Sequence, residues 1–147
     1  MNKLIRFAAS AIIIITIASS CNKHDDNSNN NSGQVAVLSQ SVQQGTWRVS
    51  YYNDNGTDNT SHYSGYTFQF NSNGTITATK TGSTVSGTWS SGTDDSTLKL
   101  ILNFGTTNTF QELNDDWHVT QQSSTIITLE DVSGGGSPTD YLTFEKI

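Results

Sequence analysis

The chain beyond residue 34 reads as an all-β domain, an eight-stranded antiparallel up-and-down barrel behind a short N-terminal helix. Three observations predict it. Apolar and polar residues alternate with a period of two along eight successive segments. Thr, Val, Ile and aromatic residues dominate those segments, which suits a pleated, half-buried surface. Turn-forming clusters stand between them. A β-sandwich is the alternative, because the same alternation serves two sheets packed face to face.

The elements are taken in chain order. Val35, Leu38 and Val42 recur at helical spacing and Gly45 stands where a helix would stop, so a short helix is expected there. The strands are then Thr46–Asn53, Tyr66–Asn71, Thr75–Lys80, Val85–Ser90, Thr97–Phe104, Trp117–Gln122, Thr125–Glu130 and Asp140–Lys146. Turns are expected at Asp54-Asn55-Gly56, Ser72-Asn73-Gly74, Ser91-Gly92 and Gly134-Gly135-Gly136. Asn73-Gly74 between Phe70 and Ile76 is the sharpest hairpin signal. Thr109 and Glu112 are spaced as a capping box, with Phe110 and Leu113 one turn apart, and a single helical turn there could close one end of a barrel.

Alternation also marks an inward face. Trp47, Val49 and Tyr51 share it, as do Tyr66, Phe68 and Phe70, then Ile76, Ala78, Val85 and Trp89. Leu98, Leu100, Leu102, Phe104, Trp117, Val119, Ile127, Leu129, Leu142 and Phe144 complete it. An eight-stranded barrel is just wide enough to be filled by its own side chains or to hold one small ligand. The many rings favour filling, whereas Ala78 and Gly87 are small enough to leave a hollow. The expectation is a modest pocket lined by Tyr51, Tyr66, Phe68, Trp89 and Trp117, with Trp47 as structure at the closed end.

The N-terminus has another purpose. Lys3 and Arg6 precede the apolar run Phe7–Ala18, and small residues Ser19 and Ser20 lead to Cys21. That order is a secretory signal, residues 1–20. The run is too short to cross a bilayer, which needs about 20 apolar residues. Ala18-Ser19-Ser20-Cys21 resembles the lipobox of bacterial lipoproteins, with Ala where Leu is usual. The resemblance implies cleavage before Cys21 and lipid on its thiol. Cys21 is the only cysteine, so no disulfide forms within the chain.

Cutting 20 residues from 147 leaves 127, and losing Lys3 and Arg6 takes the formal charge from −6 to −8. So acidic a chain does not seek nucleic acid, and anionic lipid repels it. The lipid must hold the membrane unaided. Residues 21–34 are the lipidated cysteine and a polar, Asn- and Ser-rich stretch expected to be a flexible tether. Within it Lys23-His24-Asp25-Asp26 resembles the surface-export signals of Bacteroidetes lipoproteins, and equally suits a solvating linker. The expected location is the outer membrane, on its periplasmic or outer side.

Gly45-Thr46-Trp47, after a short helix and at the head of eight strands, resembles the opening of the lipocalin fold. With the lipobox and Gly87-Thr88-Trp89, residues 35–147 look like the lipocalin-like domains of Bacteroidetes lipoproteins. The resemblance implies a barrel open at one end, often holding a small apolar ligand. Two features depart from it. The arginine that packs on the Gly-x-Trp indole is missing, leaving Lys146 as the nearby cation, and no C-terminal helix follows the last strand.

Catalysis finds little support. There is no Gly-x-Ser-x-Gly elbow, no phosphate-cradling glycine loop and no thiol nucleophile beyond Cys21. His118 follows Asp115 and Asp116, but no second His or Cys stands at ligand spacing. Asp54-Asn55-Gly56-Thr57-Asp58 lacks the closing Glu of a calcium loop. No metal or cofactor is therefore expected. Asp95-Ser96-Thr97 resembles a Bacteroidetes O-glycosylation acceptor. Three functional classes stay open: a binder of a small apolar ligand, a protein-interaction module with a filled barrel, and a carbohydrate binder using Tyr52 and Tyr63 around the loop Asp54–Gly65.

Overall fold

The structure, a computed structural model, describes residues 27–106, 109–132 and 138–147. The signal segment, Cys21, the Lys23–Asp26 run and the Gly134-Gly135-Gly136 turn lie outside them.

Helix α1 spans Asn27–Gln43 and ends where expected, with Gly45 at φ 85° taking the left-handed turn that a side chain would resist. Its start corrects the expectation, since residues 27–34 belong to the stretch expected as tether. Leu38 and Val42 are fully buried. Once their turn is fixed, each added residue costs little and gains a hydrogen bond, so the helix runs back into the Asn-rich stretch.

Among the described residues nine strands follow: β1 Trp47–Asp54, β2 Thr57–Asp58, β3 Thr67–Phe70, β4 Thr75–Lys80, β5 Ser83–Asp94, β6 Thr97–Asn103, β7 Asp115–Gln122, β8 Ile126–Asp131 and β9 Asp140–Lys146. All neighbours are antiparallel, in the order β2-β1-β3-β4-β5-β6-β7-β8-β9, and β9 returns to β1 from Trp47↔Lys146 to Asn53↔Tyr141. Eight strands thus close a barrel, and β2 is a two-residue flap hairpinned onto β1. The sandwich alternative is excluded by that closure.

Turn chemistry explains most of the boundaries. At the β3–β4 hairpin Gly74 has φ 80°, its N–H reaches Asn71 O at 3.0 Å, and the Trp89 indole N–H donates to the same oxygen at 3.0 Å. One expected turn is wrong. Strand β5 runs straight through Ser91-Gly92, and the chain reverses at Asp95-Ser96, both with positive φ (44° and 67°). Two consecutive left-handed residues make the tight reversal whose twist matches the flanking strands.

The ends are closed by different means. Leu38 and Val42 of α1 cover the end where β1 starts and β9 finishes, and the Trp47 indole N–H donates to Val42 O at 2.8 Å. The Lys146 ammonium sits 4.9 Å from the Trp47 ring centroid. At the opposite end the 3-10 turns Thr60–Tyr63 and Thr109–Leu113 insert Tyr63, Phe110 and Leu113. The expected closing turn around Phe110 and Leu113 is there.

Between the two plugs the barrel is full. Phe68 lies against Phe104, Phe144, Phe110 and Tyr63, and Phe70 against Trp89 and Phe144, at centroid separations of 5.3–6.5 Å and mostly edge to face. The hollow expected beside Gly87 does not form, because the Phe104 ring occupies it: a β-carbon there would lie 2.8 Å from that ring. Ala78 is fully buried as well.

Candidate functional site

Of the five residues expected to line a ligand pocket, three are buried, one is half-buried and one faces solvent. Phe68 and Trp117 are 0 and 1% exposed, members of the packed core. Trp117 donates to Leu113 O at 3.0 Å, and buried Trp89 clamps the β3–β4 hairpin. Tyr66 is half-buried, with its hydroxyl 3.3 Å from Ser83 Oγ. Tyr51 faces solvent, 41% exposed. The cause is a β-bulge at Ser50: the register to β9 runs Val49↔Phe144 and then Tyr51↔Thr143, so one extra residue inverts the alternation. Tyr52 turns inward in place of Tyr51.

Tyr52 and Tyr63, the candidates for exposed sugar-binding rings, are both buried instead, 2 and 1% exposed. The Tyr52 hydroxyl donates to Glu112 O at 2.8 Å, and Tyr63 reaches the Glu112 carboxylate at 3.4 Å. Burial pushes both phenols well above their usual range, and for Tyr52 the charges of Asp54 and Glu112 add to it. These bonds tie β1 to both plugging turns. Tyr52→Phe should therefore lower stability by about 1 kcal/mol with the fold intact, a shift readable as a denaturant midpoint.

Open space lies elsewhere, at a seam between β1 and β3. These strands share one pair, Trp47↔Phe68, whereas β1 and β9 share six. Beyond that pair the two strands diverge. Arg48, Val49 and Ser50 form one wall of a cleft of about 610 Å³, and Gly65 and Tyr66 form the other. Asp58, Thr60, Ser61, Tyr63 and Ser64 supply the rest of its lining. The bulge bends β1, and Gly65 at φ 79° turns the chain away before β3 begins. The sequence held one hint of this: the loop Asp54–Gly65 is far longer than a hairpin needs.

The cleft is polar, and Arg48 in its lining is already paired. Arg48 donates to the Glu145 carboxylate at 2.6 Å, both side chains well exposed. Asp58 accepts the Thr60 N–H at 3.0 Å, and hydrogen bonds from Thr60 hold its carboxyl below the usual range. Thr60 Oγ1 in turn receives the Tyr52 N–H at 2.8 Å.

A second cluster joins Asp115, Asp116 and Asp131, with one carboxylate oxygen from each lying within 4.8 Å of the others. His118, the partner suggested by sequence, is not among them. Lys99 already pairs with Asp116, at 3.3 Å. Burial, and after it the Asp131 and Asp116 carboxylates, raise the Asp115 pKa despite the hydrogen bond it accepts from Asp116 N–H. The folded state thus holds that proton more tightly than the unfolded one. The stability tied to it is complete below about pH 4 and is lost as pH rises through the folded value. Asp115→Asn is expected to raise Tm at neutral pH and to leave it unchanged in acid. The Asp54–Asp58 segment is a hairpin closed by Asn55 and Gly56, with φ of 49° and 81°.

No family model matches the sequence, and no curated protein matches it either. Among solved structures, a DUF4847-family protein from Bacteroides vulgatus is similar at a TM-score of 0.48 and 20% identity, covering 75% of this chain and 97% of its own. A likeness at that level does not say what this chain binds or does. The barrel rests on its own closure, and lipocalin kinship remains a resemblance of motif and strand number.

Proposed function

We propose that the mature protein is a non-enzymatic, lipid-anchored interaction module of the bacterial outer membrane, presenting the seam cleft of a filled barrel to a protein partner. One observation carries this reading: the interior is packed while about 610 Å³ of open volume lies at the seam. A small apolar ligand wants a dry concave pocket, and this cleft is lined by Arg48, Asp58 and hydroxyl side chains. An apolar fluorescent probe should leave tryptophan emission unchanged. Saturable micromolar binding with quenching would return the ligand to the barrel and defeat the reading. A photo-crosslinker replacing Ser61 in intact cells should capture a protein, and one replacing Ile101, 40% exposed on β6, should not. Equal capture at both positions would also count against it.

The anchor rests on the signal segment and Cys21. No described helix is long and apolar enough to cross a membrane. Lipid on Cys21 supplies the attachment, since each buried methylene contributes about 0.8 kcal/mol. Cys21→Ala should abolish palmitate labelling and leave the signal uncut, whereas equal labelling would end the idea. Replacing Lys23, Asp25 and Asp26 with Ala should turn a protease-accessible protein into a protected one. Unchanged shaving would make them plain linker residues.

A further inference from the structure

The seam itself constrains the chemistry of a partner, an inference that rests on the interaction reading. Among the described residues, Arg48–Tyr51 of β1 have no strand beside them on the side away from β9. Trp47 is taken by Phe68 below, and Tyr52 above is held by the loop through Thr60 Oγ1 and through Asn59 N–H to Tyr52 O at 2.9 Å. If the Trp47↔Phe68 register continued, Val49 would meet Tyr66 and Ser50 would meet Gly65. These are residues of the two cleft walls. The cleft is therefore an interrupted strand pairing, with Tyr63 in its lining.

Strand edges present rows of main-chain donors and acceptors that another strand can satisfy. A strand in a packed sheet occupies roughly 4.8 Å by 10 Å by 3.4 Å per residue, about 160 Å³. The 610 Å³ of the cleft then corresponds to about four residues, matching the length of the open edge. Charge narrows the choice. Arg48 is neutralised by Glu145, while Asp58 keeps a carboxylate at the cleft with no cation paired to it among the described ion pairs. A basic side chain on the incoming strand would answer it.

We propose that the seam binds an extended segment of a partner protein, about four residues long and carrying a Lys or Arg, which adds as a strand along Arg48–Tyr51 of β1. Main-chain hydrogen bonds supply the affinity and alternate side chains the selectivity, as in other strand additions.

The probe is a capped peptide of about five residues alternating Thr and Val with one Lys, titrated at millimolar concentration into the folded domain. Amide resonances of Arg48–Tyr51 and Gly65–Thr67 should shift, with cross-strand contacts between peptide and Ser50. N-methylating alternate peptide amides, which leaves the protein untouched, should weaken binding about tenfold, or about 1.4 kcal/mol. Replacing the peptide Lys with Glu should weaken it as well. Peptide binding that ignores N-methylation, or a Glu peptide bound as tightly, would overturn the strand assignment. So would a disaccharide that shifts the same resonances when the peptide does not, since the cleft would then be a glycan site. Those failures leave the Ser61 crosslink standing. A barrel that takes the apolar probe, with no crosslink at Ser61, brings down the interaction reading itself.

Discussion

Trp47→Ala is expected to leave the domain unfolded or molten at physiological temperature. The ring is fully buried between the helix plug and the strands. Truncating a buried tryptophan to alanine costs about 3–5 kcal/mol, and a small domain has only about 5–15 in all. Position adds to burial here. Trp47 carries the single pair joining β1 to β3, and it also pairs with Lys146 at the end of β9. Its indole N–H ties α1 to the barrel, and its face holds the Lys146 ammonium. Removing it loosens the helix plug, the seam and the barrel closure together. Trp47→Phe keeps a ring and loses the hydrogen bond to Val42, so its loss should be nearer 1–2 kcal/mol. Guanidinium titration separates the two. An alanine variant within about 1 kcal/mol of the native chain would mean that the helix does not plug the barrel.

Gly87→Ala should destabilise nearly as much, through crowding. A β-carbon at 87 would lie 2.5 Å from Asn103 O and 2.8 Å from the Phe104 ring. The first neighbour is backbone of the paired strand β6, so the ladder itself would have to move. Overpacking of this kind costs about 3 kcal/mol, the upper end of its usual range. Gly92 on the same strand is the internal control, since nothing lies within 4 Å of a β-carbon built there. Gly92→Ala should stay within about 0.5 kcal/mol of the native chain. Equal losses at the two positions would show that strand propensity, and not the Phe104 contact, governs β5.

The site was far less legible than the fold, and particular residues show why. Alternation placed Trp47, Val49, Phe68, Phe70, Leu100, Leu102, Leu129, Leu142 and Phe144 inside, and all of them are buried. It failed at Tyr51, where a single inserted residue flips the phase, and Ser50 looks like any outward polar residue in a strand. It also failed at Ser91-Gly92, since a glycine that tolerates a turn equally tolerates an extended strand. The seam had no local signal beyond an overlong loop.

What composition and period settle is the burial of one face per strand, because exposing those faces costs more than any local rearrangement recovers. That is enough to dictate an antiparallel all-β domain and most of its core. Whether the sheet closes, how Phe104 fills the space over Gly87 and where the pairing opens depend on contacts between residues distant in the chain. Trp47 meeting Lys146 and Phe68, and Tyr52 meeting Glu112, are such contacts. They are made only when all the strands pack at once, so only the tertiary structure could decide between a hollow barrel and a full one with a cleft in its wall.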